Sequence, residues 1–416
     1  MNSAARSAAA HPAVWLVLVA AAGTFALTMG TRQTMGLFLG DLNTATGVGI
    51  ANVSLAFAVG QLCWGITQPV AGAIADRHGA APMLLLGCAL VAVGTFVTPW
   101  MGGTLGLIVA IGLLAAGGAG MAGPSVLMAA VARLVPESRR GIATAVVSAG
   151  GSIGQFVMAP LAGALIAGLG WMTAMQVLGL LVLLALPAAW VLRARPAASP
   201  TAGLGAAGTS AHPLPVGQAL RQAWALPSYR LLAAGFFTCG FHVAFLATHL
   251  PGVVAQCGLP PTVAAWSLAV LGLFNIAGTV AVGWAMGRWR SKFLLSGLYF
   301  ARALAVLLFL AAPKTEVTML VFAAVMGATF LSTVPPTAGL VATFFGPANM
   351  AMLFGVVMLT HQIGGFLGAW AGGALFAWTG AYDWVWYVDV LLAVGAALVH
   401  LPIREERAPS VATAAA

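Results

Sequence analysis

The chain has 416 residues, of which 61% are hydrophobic and only 6% charged, with a mean hydropathy of +1.01 and a formal net charge of +9 at pH 7. Soluble domains are typically about 25% charged, so this composition excludes an ordinary water-soluble protein. The basic residues are parcelled out between apolar runs, which excludes a nucleic-acid footprint on a soluble surface.

Twelve apolar runs predict twelve membrane-spanning helices, near 13–38, 50–74, 80–98, 104–132, 141–168, 172–192, 230–252, 262–286, 293–311, 317–342, 349–377 and 383–401. Each is long enough to cross a hydrocarbon layer ~30 Å thick as a helix. The runs lack the ten-residue apolar/polar alternation of a lipid-exposed β-barrel. The first is too long for a signal-peptide core and contains Arg32, so it reads as a retained helix. The short loops place Arg77, Arg133, Arg139, Arg140, Arg288, Arg290 and Lys292 on one side and Lys314 on the other. The positive-inside rule then predicts both termini in the cytoplasm and a bacterial inner-membrane location.

Residues 193–229 form the one clear linker, with Pro196, Pro200, Pro213 and Pro215 among small residues. The predicted organisation is a cytoplasmic tail (1–12), a six-helix bundle (13–192), the cytoplasmic linker (193–229), a second bundle (230–401) and a cytoplasmic tail (402–416). The halves repeat one another. Ala21-Ala22-Gly23 answers Ala233-Ala234-Gly235, Ser54-Leu55-Ala56 answers Ser267-Leu268-Ala269, and Ile153-Gly154-Gln155-Phe156 answers Ile363-Gly364-Gly365-Phe366. Two such repeats about an axis along the membrane normal place a solute path between them. Glycines four apart, as at Gly150-Gly154, Gly283-Gly287 and Gly364-Gly368, predict close helix packing. Pro69, Pro124, Pro160, Pro335 and Pro336 predict kinks.

The stretch Gly72-Ala-Ile-Ala-Asp76-Arg77-His78-Gly79, between the second and third spans, resembles the GxxxDRxG loop of the major facilitator superfamily. That resemblance implies an all-α polytopic fold of twelve helices in two pseudo-symmetric six-helix bundles. It also implies a gating lock built from Asp76 and Arg77, with Arg288 in the second-half copy. In that copy Gly287 stands at the aspartate position, and Ala80 and Ala81 replace the usual basic residues after the first motif. Within the superfamily the chain is similar to bacterial monocarboxylate-transporter-like and oxalate/formate-exchanger-like proteins. The likeness runs through Gly30-Thr31-Arg32-Gln33-Thr34, Phe236 to His242, and Leu273-Phe274-Asn275. Asn275 and Thr279 stand where those relatives often carry an aspartate and an arginine, so that arginine does not carry over.

Arg32 and Arg302 lie inside apolar helices, where an unpaired arginine costs at least ~2.5 kcal/mol. Arg32 is placed in the outer half of its helix, facing the cavity or snorkelling to headgroups. Two roles are open for Arg302 near mid-membrane: binding an anion, or donating to the carbonyls of a kinked neighbour. Asp389 is the one carboxylate distinctly within a span, at a position expected to be peripheral, so the central cavity is expected to be electropositive and to attract an anion. His242 is the candidate for proton coupling as well as substrate contact, with His361 beside Gln362 as a further candidate. Gln61, Asn275, Gln155 and Tyr299 complete the expected substrate-binding set as hydrogen-bonding groups; each is equally able to join helices.

These residues lead to a secondary active or facilitative transporter of a small organic anion, a monocarboxylate first of all, working by alternating access, with a co-transported proton if it is a symporter. Two alternatives stand beside it: an efflux carrier for amphipathic or hydrophobic compounds, and a non-transporting membrane sensor. No enzyme activity, cofactor or metal is expected. No catalytic cluster or phosphate-binding loop is evident, and Cys63, Cys88, Cys239 and Cys257 show no ligand spacing. The expected partners are the anion and the bilayer, with no nucleic acid, and the chain is expected to act as a monomer.

Overall fold

In the computed structural model the described residues are 4–136, 139–193 and 216–407; the side chains of residues 4–13, 76, 132, 141, 216, 347–349 and 351 lie outside them. Among the described residues, twelve helices are long and apolar enough to cross a membrane. In chain order they are α1 (Val14–Thr46), α2 (Ile50–Ala75), α3 (Ala80–Trp100), α4 (Gly103–Val131), α5 (Ile142–Leu169) and α6 (Trp171–Val191), then α7 (Pro227–Gln256), α8 (Pro261–Ala285), α9 (Ser291–Ala311), α10 (Glu316–Phe345), α11 (Met352–Thr379) and α12 (Asp383–His400). Of the linker expected over 193–229, residues 194–215 lie outside the described residues, and Val216–Ala225 is a helix. That short helix buries Ala219 and Ala223 against the start of α7 and α11.

The face carrying the Arg77, Arg133 and Arg288 loops is termed the basic face, and the opposite one the far face. Two hydrophobic clusters belong mainly to α1–α6 and two mainly to α7–α12, so each half has its own core. The same device builds both. Gly150 and Gly154 of α5 leave no room for a Cβ against the backbone of Ala22 and Ala26 in α1, and Gly364 and Gly368 of α11 do the same against Phe237 and Phe241 in α7. Small residues here let backbones touch where lipid supplies no hydrophobic drive. The third expected pair behaves differently, because a Cβ on Gly283 would meet open space.

The halves meet through α2 against α11 and α5 against α8. Their tight approaches lie at mid-height and toward the far face. Gly373 sits on Ser54, Gly163 on Ala265, and Gly272 on Ser152 and Gln155. At Gly36 of α1 a Cβ would collide with the carbonyl oxygen of Ala247 in α7. The halves are therefore in close contact toward the far face, and Gly36 is at one of those contacts. Gly36→Val is expected to hold the halves apart there, cutting solute exchange at least tenfold. The check is increased labelling, by an impermeant maleimide, of a cysteine placed at Thr248.

Helix continuity departs from the expected bounds in the first span, while interruptions are found ahead of Pro124 and of Pro335 and Pro336, where kinks were expected. The first runs on to Thr46 through a 3-10 turn at Met35–Phe38 and a further helix Leu39–Thr46, past the expected end at 38. Asp41, Asn43 and Thr44 hide this extension in a hydropathy reading, and its effect is to put Arg32 close to mid-span instead of in the outer half. In α4 a π-helical stretch, Ile108–Ala116, precedes a break before Pro124. Its pseudo-symmetric counterpart α10 is interrupted between Thr329 and Val334, ahead of Pro335 and Pro336. The helices containing Pro69 and Pro160 continue unbroken.

Candidate functional site

Arg32 reaches its position because α1 tightens immediately after it into the 3-10 turn, braced by Thr34 Oγ1 donating to the Thr31 carbonyl at 2.8 Å. The guanidinium donates through Nη2 to Gln61 Oε1 of α2 and through Nη1 to Gln33 Oε1 at 3.3 Å. Its Cζ stands 4.8 Å from the centroid of the Trp64 ring. These partners, and Met29 Sδ at 3.9 Å from Nη1, are all neutral. Among the described residues no carboxylate pairs with Arg32.

Arg32, Gln61 and Gln33 line a small cavity of about 30 Å³, walled otherwise by apolar groups such as Met35, Phe57 and Ile111, with Ala247 and Thr248 contributed by the second half. Ile111 and its neighbours Ala115 and Ala116 come from the π-helical stretch of α4, a distortion that recurs at functional sites. Thr31 also lines the cavity, and its hydroxyl has no hydrogen-bond partner among the described residues. A fork of donors, an unspent hydroxyl and an apolar wall fit a small anion with an apolar substituent.

A second polar centre lies inside the second half. Arg302 of α9 is 1% exposed and donates through Nη2 to the carbonyl oxygens of Thr329 and, at 2.7 Å, Phe330, and through Nε to Thr329 Oγ1 at 3.3 Å. These acceptors stand at the break of α10, where helical N–H groups are missing, so the guanidinium replaces donors that the helix cannot supply. Nη1 of Arg302 is 3.4 Å from Nδ1 of His242, and Nε2 of His242 is 3.1 Å from Oδ1 of Asp389. Asp389, expected to be peripheral, is 1% exposed, because its face of α12 packs against α7 and α9. It is the functional candidate that sequence reasoning set aside. The available signal was a carboxylate deep in an apolar run together with a histidine and an arginine at similar depth in neighbouring spans.

The remaining candidates fall at joints between helices. Asn275 of α8 donates to Ser152 Oγ of α5 at 2.9 Å and accepts from the Leu331 N–H of α10 at 3.0 Å, so it ties the halves to each other and to the α10 break. Gln155 is buried against Gly272 at the same joint. Asn275→Leu is expected to lower stability by about 1–2 kcal/mol, read as a fall in the thermal-unfolding midpoint, since both bonds are lost within the membrane. Gln362 packs against Gly65 across the α2–α11 joint, and Gln61 lies next to Gly365. His361 lies tilted against Phe236 with ring centroids 5.0 Å apart, and Tyr299 stacks on His400 at 5.2 Å. Thus Arg32 and Gln61 share one centre and His242 and Arg302 another, while Asn275 and Gln155 sit at the α5–α8 joint.

At the basic face the Asp76 side chain lies outside the described residues. Arg77 is exposed, Arg133 donates to the Ala75 carbonyl at 3.3 Å, and Arg288 covers the Trp284 ring at 3.7 Å. A charged contact ties the C-terminal segment to the start of α9, where Glu405 accepts from the Lys292 N–H at 2.8 Å.

Twelve spanning helices, paired cores and a polar cavity at mid-span define a transporter of the two-bundle type. The chain belongs to the Major Facilitator Superfamily, whose family model matches residues 20–317 and 258–416. It is 26% identical to Monocarboxylate transporter 13 of Rattus norvegicus, over 93% of this chain and 89% of that one. It is 22% identical to the MFS-type transporter YcxA of Bacillus subtilis (strain 168), over 93% and 94% of the two chains. Its fold is similar to that of a bacterial homologue of the human lysosomal transporter Spinster in an inward-facing, occupied conformation, with a TM-score of 0.73 and 16% identity over 92% of this chain and 95% of that one.

Proposed function

We propose that this chain is a secondary carrier of a small organic anion, with a monocarboxylate as the first substrate class, that works by alternating access of the cavity around Arg32. The observation that carries this reading is a guanidinium at mid-span, open to a cavity, with only neutral partners among the described residues. A buried cation of this kind is costly, and a bound carboxylate neutralises it through two parallel hydrogen bonds. Gln61 and Gln33 hold the fork in place before the anion arrives, and Thr31 supplies a further donor. The apolar wall takes the substituent. The similarity to Monocarboxylate transporter 13 supports the same substrate class.

In this reading the basic face is cytoplasmic, the chain lies in a bacterial inner membrane with both termini inside, and it moves its solute as a monomer without altering it chemically. On the same reading, the close contact at Gly36 belongs to an arrangement closed to the outside. The test is counterflow in proteoliposomes loaded in turn with lactate, pyruvate, formate, oxalate or a branched 2-oxo acid, following entry of the same labelled anion. Saturable exchange of one of them is expected. Folded protein that exchanges none of the five, but expels amphipathic dyes, would replace this reading with efflux of apolar compounds, which the walls formed by Met35, Phe57 and Ile111 would also suit.

A further inference from the structure

The hydrogen-bond directions around His242 fix where its proton sits. A guanidinium only donates, so His242 Nδ1, 3.4 Å from Arg302 Nη1, is the accepting nitrogen and the proton of the neutral ring is on Nε2. Nε2 faces Asp389, 3.2 Å from its backbone carbonyl oxygen and 3.1 Å from Oδ1, with the better hydrogen-bond geometry toward the carbonyl. Both carboxylate oxygens of Asp389 are consequently buried with no hydrogen-bond donor among the described residues. An ionised carboxylate is acceptor-only and is poorly compensated in such a place.

We propose that Asp389 and His242 form a proton-binding site whose occupancy Arg302 transmits to the break in α10. A proton arriving at Asp389 neutralises the carboxylate that no donor compensates. A second proton, taken up by His242, has to settle on Nδ1, because Nε2 already carries one. Nδ1–H then points at Arg302 Nη1–H, donor against donor and cation against cation. Arg302 withdraws, and the same guanidinium lets go of the Thr329 and Phe330 carbonyls that it clamps. The unwound turn between Thr329 and Val334 is then free to change its bend, moving the second half of α10 at the basic face.

The groups facing the site from each packed element agree with this assignment. Arg302 and Tyr299 come from α9, Asp389 from α12 and His361 from α11. Cys239 lies one turn away on α7 itself, 3.9 Å from Arg302 Nη2, and α10 presents Thr329 and Thr333, which do not titrate. No acidic or basic residue occurs anywhere along α8. The site lies outside the Arg32 cavity, and the proposal does not depend on which solute is carried.

The test uses the full chain in lipid nanodiscs without any solute, so its result is independent of the anion reading. Infrared difference spectra across a pH series read carboxyl protonation directly, and the background is low because the chain has only 8 Asp and Glu residues. A protonated-carboxyl band from a dry environment is expected to grow on acidification in the unmodified chain. It should vanish in Asp389→Asn and move in frequency, without vanishing, in Asp389→Glu. Amide hydrogen exchange over residues 327–337, corrected for its intrinsic pH dependence, should rise on acidification and lose that rise in His242→Gln. A band that persists unchanged in Asp389→Asn, or an exchange profile in His242→Gln matching the unmodified chain, overturns the proposal. Should Asp389→Asn fail to fold, the frequency shift in Asp389→Glu decides, since an unshifted band places the proton elsewhere.

Discussion

Arg32→Ala is expected to slow anion counterflow by about 100-fold while leaving the thermal-unfolding midpoint within a few degrees of the unmodified chain. The loss follows from removing a charge-assisted, two-pronged contact from a site screened from bulk water, worth roughly 2–4 kcal/mol. Stability changes little because the groups left behind are neutral. Gln61 Oε1 and Gln33 Oε1 lose one donor each beside a cavity that admits water, and the Trp64 ring loses a cation 4.8 Å from its centroid. Within membranes such single polar contacts average about 0.6 kcal/mol. Arg32→Lys separates charge from geometry. Lysine keeps the charge but cannot span Gln61 and Gln33 while presenting two parallel donors, so exchange should recover only in part. A rate in Arg32→Ala equal to that of the unmodified chain, measured as initial counterflow at matched protein density, would place the anion elsewhere.

The span count was legible in the sequence because hydrophobic length is the main constraint a bilayer imposes, and each of the twelve runs meets it. The glycine pairs at Gly150-Gly154 and Gly364-Gly368 were legible for a related reason, since a Cβ at any of them would strike a neighbouring backbone. Gly283 has the same spacing and no neighbour, so spacing alone does not report which side of a helix is in contact. What escaped the sequence depends on the azimuth of each helix. Asp389 is six residues into α12 whichever way that helix turns, and only the packed structure aims it at His242. Likewise Pro69, Pro160 and Pro335 read alike in the sequence. Two of these helices continue without interruption, while α10 opens just ahead of Pro335, where Arg302 and Asn275 bond its freed backbone groups.

Arg302→Ala is expected to be the most destabilising single substitution in the chain, at about 3–5 kcal/mol, the range found when one member of a buried charged set is removed. The cost has two physical parts. The carbonyls of Thr329 and Phe330 lose their donor, and Val334 N–H, which would reach Phe330 in a regular helix, is already bonded to the Leu331 carbonyl at 3.0 Å, while Pro335 and Pro336 have none. The second part is electrostatic, because Asp389 is left in the same buried cluster without its one nearby guanidinium. Combining Arg302→Ala with Asp389→Asn removes the second part alone, so the double variant should regain part of the lost midpoint and no more. Arg302→Lys should land between, since an ammonium reaches one carbonyl where the guanidinium spans two. Unfolding midpoints followed by tryptophan fluorescence in one detergent give the ordering, with Arg32→Ala as the reference that changes charge without touching the α10 break. An Arg302→Ala chain as stable as the Arg32→Ala chain but silent in counterflow would reverse the assignment, making Arg302 a residue that acts on the solute instead of one that holds α10 in its broken form.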